Sequence, residues 1–238
     1  MDLIIIPTYN ERENVEDMIH AVFEQGDNFH LLIVDDGSPD GTAQLVKQKM
    51  QAFPDRLHML ERSGKLGLGT AYIAGFKWAL EKGYTYIFEM DCDFSHNPKD
   101  LNRLLSACKN NQGVAVGSRY VQGGGTIDWP WHRRLISKGG SIYVNLILGL
   151  GVKDSTGGFV CYYHEVLKSL NLDEIQFIGY AFQIEMKYRA YCKKLKIVEV
   201  PIIFTDRTMG QSKMSNSIIK EAIFGVISLR MRQLFNRL

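Results

Sequence analysis

Residues 3–6 form a short apolar run that stops at Pro7, and Val15, Met18, Ile19, Val22 and Phe23 then recur at helical spacing. This pattern predicts strand, turn and helix. Asn10 followed three residues later by Glu13 predicts a capping box at that helix start. A second apolar run at 31–34 predicts a buried strand, followed by the turn Asp35-Asp36-Gly37-Ser38-Pro39-Asp40-Gly41 and a helix from about Thr42. The unit then repeats, with strands at 57–60, 86–90 and 114–117 and helices at 69–81 and 99–109. Short apolar strands alternating with helices predict an α/β fold with a mostly parallel central sheet flanked by helices.

Beyond the repeat, Gly123-Gly124-Gly125 reads as a flexible loop, and Tyr143, Leu146, Ile147 and Leu150 keep a helical period within 129–152. From about Ile175 the alternation is lost. A helix near 180–190, a strand at 196–200, a polar loop to Ser217 and a final amphipathic helix complete the pattern. No internal repeat or Pro/Gly/Ser-rich linker divides the chain. It therefore reads as one domain over 1–217, with the helix 218–238 either part of that domain or lying against a membrane.

Ligands of parallel α/β sheets bind beyond the carboxyl ends of the strands, and those positions are unusually polar here. They carry Pro7-Thr8-Tyr9-Asn10-Glu11, Asp35-Asp36-Gly37, Asp91-Cys92-Asp93 and Ser118-Arg119-Tyr120. Strand side chains alternate faces, so Asp91 and Asp93 point one way and Cys92 the other. Two converging carboxylates suit a hard divalent cation that also meets a substrate phosphate. The bland alternative is a turn of Asp residues with Ser95 or Asn97 capping the helix after Pro98. One of Asp35 and Asp36 is expected to bond its own turn backbone, while an acidic group at the second strand end can accept from ribose or base. No G-x-G-x-x-G follows the first strand, which disfavours a dinucleotide. The run from Gly64 to Gly69 lacks phosphate-loop spacing and reads as a helix start that approaches ligand or backbone closely. His96 reads as a structural histidine.

Composition narrows the classes. With 238 residues, 45% hydrophobic and 23% charged, the chain has enough apolar side chain for a sizeable core, which excludes a disordered or disulfide-stapled protein. Its four cysteines form no C-x-x-C pair, so neither a zinc cluster nor a disulfide framework is expected and a reducing cytosol fits best. Asp2 precedes an apolar run broken at Pro7, so no signal peptide is read. The charge-free candidates for a span, 139–152 and 222–229, are too short to cross a bilayer. The net charge of +2 hides an asymmetry: residues 1–186 hold 17 Lys/Arg and 23 Asp/Glu, whereas 187–238 hold 11 and 3. A basic end without a recognisable module argues against nucleic-acid binding. Together with the stripe Ile218, Ile219, Ala222, Ile223, Val226 and Ile227, it predicts a helix lying in the plane of an anionic membrane, with core packing as the alternative. Trp129 and Trp131 beside Arg133, Arg134 and Lys138 have an interfacial composition as well, one of the two Trp being equally suited to the core.

These motifs in this order, with Gly67-Leu68-Gly69-Thr70-Ala71 and Asp154-Ser155-Thr156-Gly157-Gly158-Phe159, resemble the GT-A-fold glycosyltransferases of family 2, in particular the polyprenyl-phosphate (dolichyl-phosphate) mannose synthases. The resemblance covers roughly residues 3–215. It implies that Pro7, Tyr9, Glu11, Val34 and Asp36 hold the guanosine of GDP-mannose, with Asp91, Cys92 and Asp93 around its diphosphate and Arg119, Arg207 and Lys213 completing the donor site. It further implies Mg²⁺ or Mn²⁺ on Asp91, Asp93 and Ser95, catalysis by Asp91, Asp93, Arg207 and Lys213, and acceptor phosphate on Arg133 and Ser137. The implied setting is the cytoplasmic membrane face, bound peripherally, with room for a membrane-embedded partner subunit. Two rivals remain. A family 2 enzyme acting on a sugar hydroxyl needs a carboxylate base, for which Asp154 is the obvious candidate. A non-enzymatic nucleotide-binding peripheral membrane protein would have no use for the Asp91/Asp93 pair.

Overall fold

The computed structural model describes residues 1–179, 181–206 and 216–235, the last segment by backbone alone up to residue 222. The chain runs β1 (Asp2–Thr8), α1 (Arg12–Phe23), β2 (Phe29–Asp35), α2 (Thr42–Met50), β3 (Leu57–Glu61), α3 (Leu68–Glu81), β4 (Tyr86–Glu89), α4 (Leu101–Asn111) and β5 (Val114–Ser118). It continues through β6 (Gly125–Ile127), α5 (Trp131–Leu148), β7 (Val160–Tyr163), α6 (His164–Ser169), α7 (Ala181–Cys192), β8 (Ile197–Pro201), β9 (Ile203–Thr205) and α8 (Asn216–Leu234).

Seven strands form one sheet in the order β3-β2-β1-β4-β7-β5-β8. All neighbours are parallel except β7, which runs antiparallel between β4 and β5. The strands of the first repeats are almost wholly buried because helices cover both faces, which is why they read as continuous apolar runs. One face packs against α1, α2 and α4 through Val15, Met18, Phe29 and Leu104; the other packs against α3, α6 and α7 through Tyr72, Phe76, Leu167 and Phe182. A third apolar cluster joins α5, α7 and α8 through Val144, Leu148, Ile184, Tyr188, Val226 and Leu229.

The sheet order places β2 on one side of β1 and β4 on the other. Chain direction across the sheet therefore reverses at the β1/β4 boundary, the point where open α/β sheets bind ligands. Thr8 pairs in register with Asp35, and Ile5 with Glu89, so the polar ends of β1, β2 and β4 open onto one edge.

Three sequence expectations are corrected. No capping box forms at α1: Glu11 is the N-cap residue and makes no side-chain cap bond, while Asn10 adopts a left-handed backbone (φ 60°) whose N–H donates to Ser38 Oγ at 3.0 Å. The turn after β1 is tied instead to the turn after β2. Residues 123–125 are not simply loop, since Gly125 opens β6, which pairs in parallel with β9. Gly124 packs so closely on the Ser118 carbonyl that an added Cβ would sit 2.4 Å from its oxygen. Finally, β7 falls where the sequence pattern predicts no element, because the five apolar residues between Gly158 and His164 carry no periodicity.

Candidate functional site

A cleft of about 810 Å³ opens at the carboxyl edge of the sheet. Pro7, Tyr9 and Glu11 line it from the end of β1, Asp36 from β2, and Asp91, Cys92, Asp93 and Ser95 from the segment after β4. Arg119 reaches it from the end of β5, and Arg133 and Ser137 from α5. Residues from Pro7 to Val226 thus share one cavity. Val34 does not line it; its side chain is buried in the sheet core with Leu32 and Ala71. Arg207 and Lys213 lie outside the described residues.

The two turn aspartates divide as expected. Asp35 is structural: its carboxylate accepts from Thr8 Oγ1 at 2.9 Å, Ser38 Oγ at 2.6 Å and Ser38 N at 2.9 Å. Asp36 faces the cleft and is gripped by Arg62, whose Nε and Nη2 donate at 2.7 and 3.0 Å. Arg62 follows β3, so the strand-end rule applied to the third strand would have found it. Lys65 Nζ stands 5.0 Å from the Tyr9 ring centroid, adding a cation to the same corner. Gly67 has φ 105° and Gly69 donates its N–H to the Ile178 carbonyl at 2.9 Å, which meets the expectation of close backbone approach at this helix start.

Just past the end of β4, Cys92 packs into the core and also touches the cleft, while Asp91 and Asp93 border the cleft. Burial pushes the Cys92 thiol well above its ordinary range, helped by Glu11, Asp93 and Asp91. Asp93 is buried, and its Oδ1 accepts from Ser95 N at 3.1 Å. Asn97, not Ser95, caps the turn that follows, its Oδ1 accepting from Lys99 N. Ser95 Oγ is buried without a hydrogen-bond partner among the described residues. His96 is structural: Asp91 N donates to its Nδ1 at 3.1 Å, which puts its ring proton on Nε2. Burial holds the imidazole below its ordinary pKa against the opposing pull of Asp91 and Asp93.

Among the described residues no three His, Cys, Asp or Glu side chains gather as a closed metal cage. Two carboxylates and an orphaned buried hydroxyl are hard oxygen donors. They fit Mg²⁺ or Mn²⁺ better than a soft metal, with coordination left for phosphate oxygens.

Asp154 occupies a different position from that of a general base. Its carboxylate is fully buried, accepts from Arg119 Nε and Nη2 at 2.7 Å each, and also accepts from Arg119 N at 2.9 Å. Burial alone would raise its pKa, but the hydrogen bonds and charge of Arg119 outweigh burial and hold the carboxyl below its usual range. The candidate base is therefore a clamp that aims Arg119.

On α5, Arg133 Nη1 donates to Asp206 Oδ2 at 2.6 Å and its guanidinium lies 4.2 Å from the Trp129 ring centroid. Ser137 Oγ accepts from Tyr120 OH at 2.7 Å. Tyr120 belongs to a motif singled out in the sequence, yet its part in holding Ser137 was not legible there. The two tryptophans separate: Trp129 is buried against Phe204, and Trp131 is 73% exposed. Leu135, Ile142 and Leu146 on α5 and Phe224, Ile227, Met231 and Leu234 on α8 are exposed as well, while Val226 and Leu229 are buried. Of the predicted stripe, Val226 is buried and Ile223 and Ile227 are exposed, while the side chains of Ile218, Ile219 and Ala222 lie outside the described residues. No helix among the described residues is long and apolar enough to cross a membrane.

Comparison with known proteins agrees with this architecture. The Glycosyl transferase family 2 profile matches residues 3–170. A polyprenol monophosphomannose synthase of Mycolicibacterium smegmatis is 46% identical over 235 residues, covering 99% of this chain and 89% of its own. An undecaprenyl-phosphate mannosyltransferase of Micrococcus luteus is 43% identical, covering 94% and 91%. Among solved structures, a mannosyltransferase of Pyrobaculum calidifontis in complex with GDP-Man and Mn²⁺ superposes with a TM-score of 0.62 at 15% identity, over 98% of this chain and 64% of that one.

Proposed function

The chain belongs to glycosyl transferase family 2, and we propose that it transfers mannose from GDP-mannose to a polyprenyl phosphate, inverting the anomeric centre, while bound peripherally at the inner membrane face. One observation carries this reading. A single cleft joins strand-end carboxylates suited to a nucleotide diphosphate sugar with an arginine and a serine on a helix whose outer side is apolar. The names of the two bacterial relatives support the sugar and the acceptor class.

In this reading Pro7, Tyr9, Glu11 and Asp36 hold the nucleoside, and Arg119, aimed by Asp154, meets the diphosphate together with Arg207 and Lys213. Asp91, Asp93 and Ser95 would hold the divalent cation, Mg²⁺ or Mn²⁺, whose chemistry is to neutralise charge on the departing diphosphate. Arg133 and Ser137 receive the acceptor phosphate; a guanidinium suits bidentate phosphate contact, and a one-turn spacing puts both on one helix face. A phosphate monoester has a second pKa of about 6 and is largely ionised at neutral pH, so the nucleophile requires no strong base. That matches the engagement of both Asp154 oxygens with Arg119, and it disfavours the hydroxyl-directed rival.

Arg133→Ala should raise KM for polyprenyl phosphate by roughly tenfold or more, the scale of a lost charge-assisted hydrogen bond. KM for GDP-mannose should change far less. Steady-state kinetics with each substrate varied in turn check this, and equal effects on both would move Arg133 to the donor site or to folding.

Membrane contact is tested by liposome flotation. Each Lys or Arg near an anionic surface contributes about 1 kcal/mol that fades with salt, and inserted apolar side chains supply the remainder. Binding should strengthen with anionic lipid and weaken without vanishing in high salt. The pair Leu146→Asp and Phe224→Asp, at positions 79% and 70% exposed, should release the protein without unfolding it. Undiminished flotation of the double variant would assign the contact to another surface.

A further inference from the structure

Under the cleft lies a polar cluster that the transfer chemistry does not use. Glu89 ends β4 and Lys187 stands in the middle of α7; both are fully buried. Gln183, one turn earlier on α7, bridges them: its Nε2 donates to Glu89 Oε2, and its Oε1 accepts from Lys187 Nζ at 3.1 Å. Lys187 Nζ also donates to the Gly157 carbonyl at 2.7 Å and to the Gln183 carbonyl at 3.2 Å. All three ammonium protons thus have acceptors, from two segments of chain.

Helix α7 is buried from Ala181 to Ala190, and Lys187 itself has no exposed surface. A methionine would fill similar volume without the cost of desolvating a charge. The arrangement is therefore informative for what it ties together. Glu89 lies two residues before Asp91, Gly157 and Gly158 form part of the cleft wall, and Gln183 lines the cleft itself. The 154–158 segment is packed tightly: a Cβ on Gly157 would stand 3.0 Å from the Gly117 carbonyl oxygen and 3.3 Å from Asp154 Cγ. The charged groups whose fields reach Lys187 are Glu89, Asp154, Glu199 and Arg119. Glu199 in turn accepts from Asp154 N and Lys153 N at 2.9 and 2.8 Å, anchoring the start of the same segment.

We propose that Lys187, acting with Gln183 and Glu89, is a positioning residue that fixes the Gly157 carbonyl and the Asp154–Arg119 clamp relative to the end of β4. Arg119 and the 157–158 backbone are thereby held at a set distance from Asp91 and Asp93. The transfer step is sensitive to displacements of about 1 Å, and a backbone segment rich in glycine does not hold itself. This inference rests on the transferase reading above.

Two variants test it. Lys187→Met removes the ammonium at similar length, and Glu89→Gln combined with Lys187→Met removes both charges, leaving no lone buried ion. Lys187→Met should lower kcat for mannose transfer at least tenfold, with KM for GDP-mannose within about threefold, and should speed amide hydrogen exchange in residues 154–158 at least tenfold. The double variant should recover thermal stability but neither rate nor protection, because Gly157 still lacks its donor. If the double variant regains wild-type kcat and exchange, the cluster serves only charge balance and the proposal falls. If Lys187→Met does not fold, the double variant carries the same readouts. Should the wild-type protein turn over no GDP-mannose, the transferase reading fails by itself, and exchange in 154–158 still decides positioning: acceleration supports it, and wild-type protection overturns it.

Discussion

Asp93→Asn is expected to lower kcat/KM for mannose transfer on the order of a hundredfold or more, while the thermal unfolding midpoint stays near that of the wild type. The two expectations rest on different atoms of one side chain. Asp93 Oδ1 accepts from Ser95 N, a contact an asparagine oxygen reproduces, so the local turn survives. The second oxygen and the negative charge are what a divalent cation at the diphosphate would require, and an amide supplies neither. Steady-state kinetics with a melting curve on the same sample separate these effects. Near-normal turnover in the folded variant, or full wild-type activity in excess chelator, would remove both the carboxylate and the cation from the mechanism.

The largest stability loss is expected at Asp154. Replacing it with asparagine takes from the Arg119 guanidinium, itself only 8% exposed, the buried carboxylate that pairs with it. Breaking a buried ion pair from one side typically costs about 3–5 kcal/mol. Chemical denaturation at pH 7 should therefore show a large drop in midpoint with little change in slope. Because the native pKa of Asp154 is depressed, its pairing contributes stability that is fully present above the unfolded carboxylate value of about 3.9 and is lost as pH falls through the lower native value. The gap between wild type and variant should hold from pH 7 to pH 5 and close only in strong acid. Activity should fall through misplacement of Arg119, and raising the pH should not restore it. A folded variant of normal stability whose rate recovers at high pH would return Asp154 to the role of base and favour a hydroxyl acceptor.

The local signals and the long-range ones differ in kind. Runs of apolar residues at 3–6 and 31–34 and the helical period between them are written in consecutive residues, because these strands are buried on both faces and the helix on one; the edge strand β3 is only partly buried, and its run carries His58. The same holds for the strand-end polar clusters, since a strand must release its ligand-facing groups at its carboxyl end whatever lies beside it. The sequence by itself therefore determined the alternating α/β plan, the polar strand ends that line the cleft and the carboxylate pair Asp91/Asp93.

Only the tertiary structure decided the pairings across distance. The antiparallel insertion of β7 between β4 and β5 depends on hydrogen bonds to strands dozens of residues away. Clamping of Asp154 by Arg119 joins positions 35 apart, and the contact of Arg133 with Asp206 spans 73. Val34 lies in a strand whose neighbours fill its surroundings with apolar side chains, so its side chain belongs to the core although its motif lies beside the cleft. The division of α8 into a buried and an exposed side follows from the packing of α5 and α7 against it, and burial of Trp129 but not Trp131 from Phe204 of β9. A residue type and its spacing limit what a side chain can do; which partner it meets is settled by the packing of segments that carry no mark of each other in the chain.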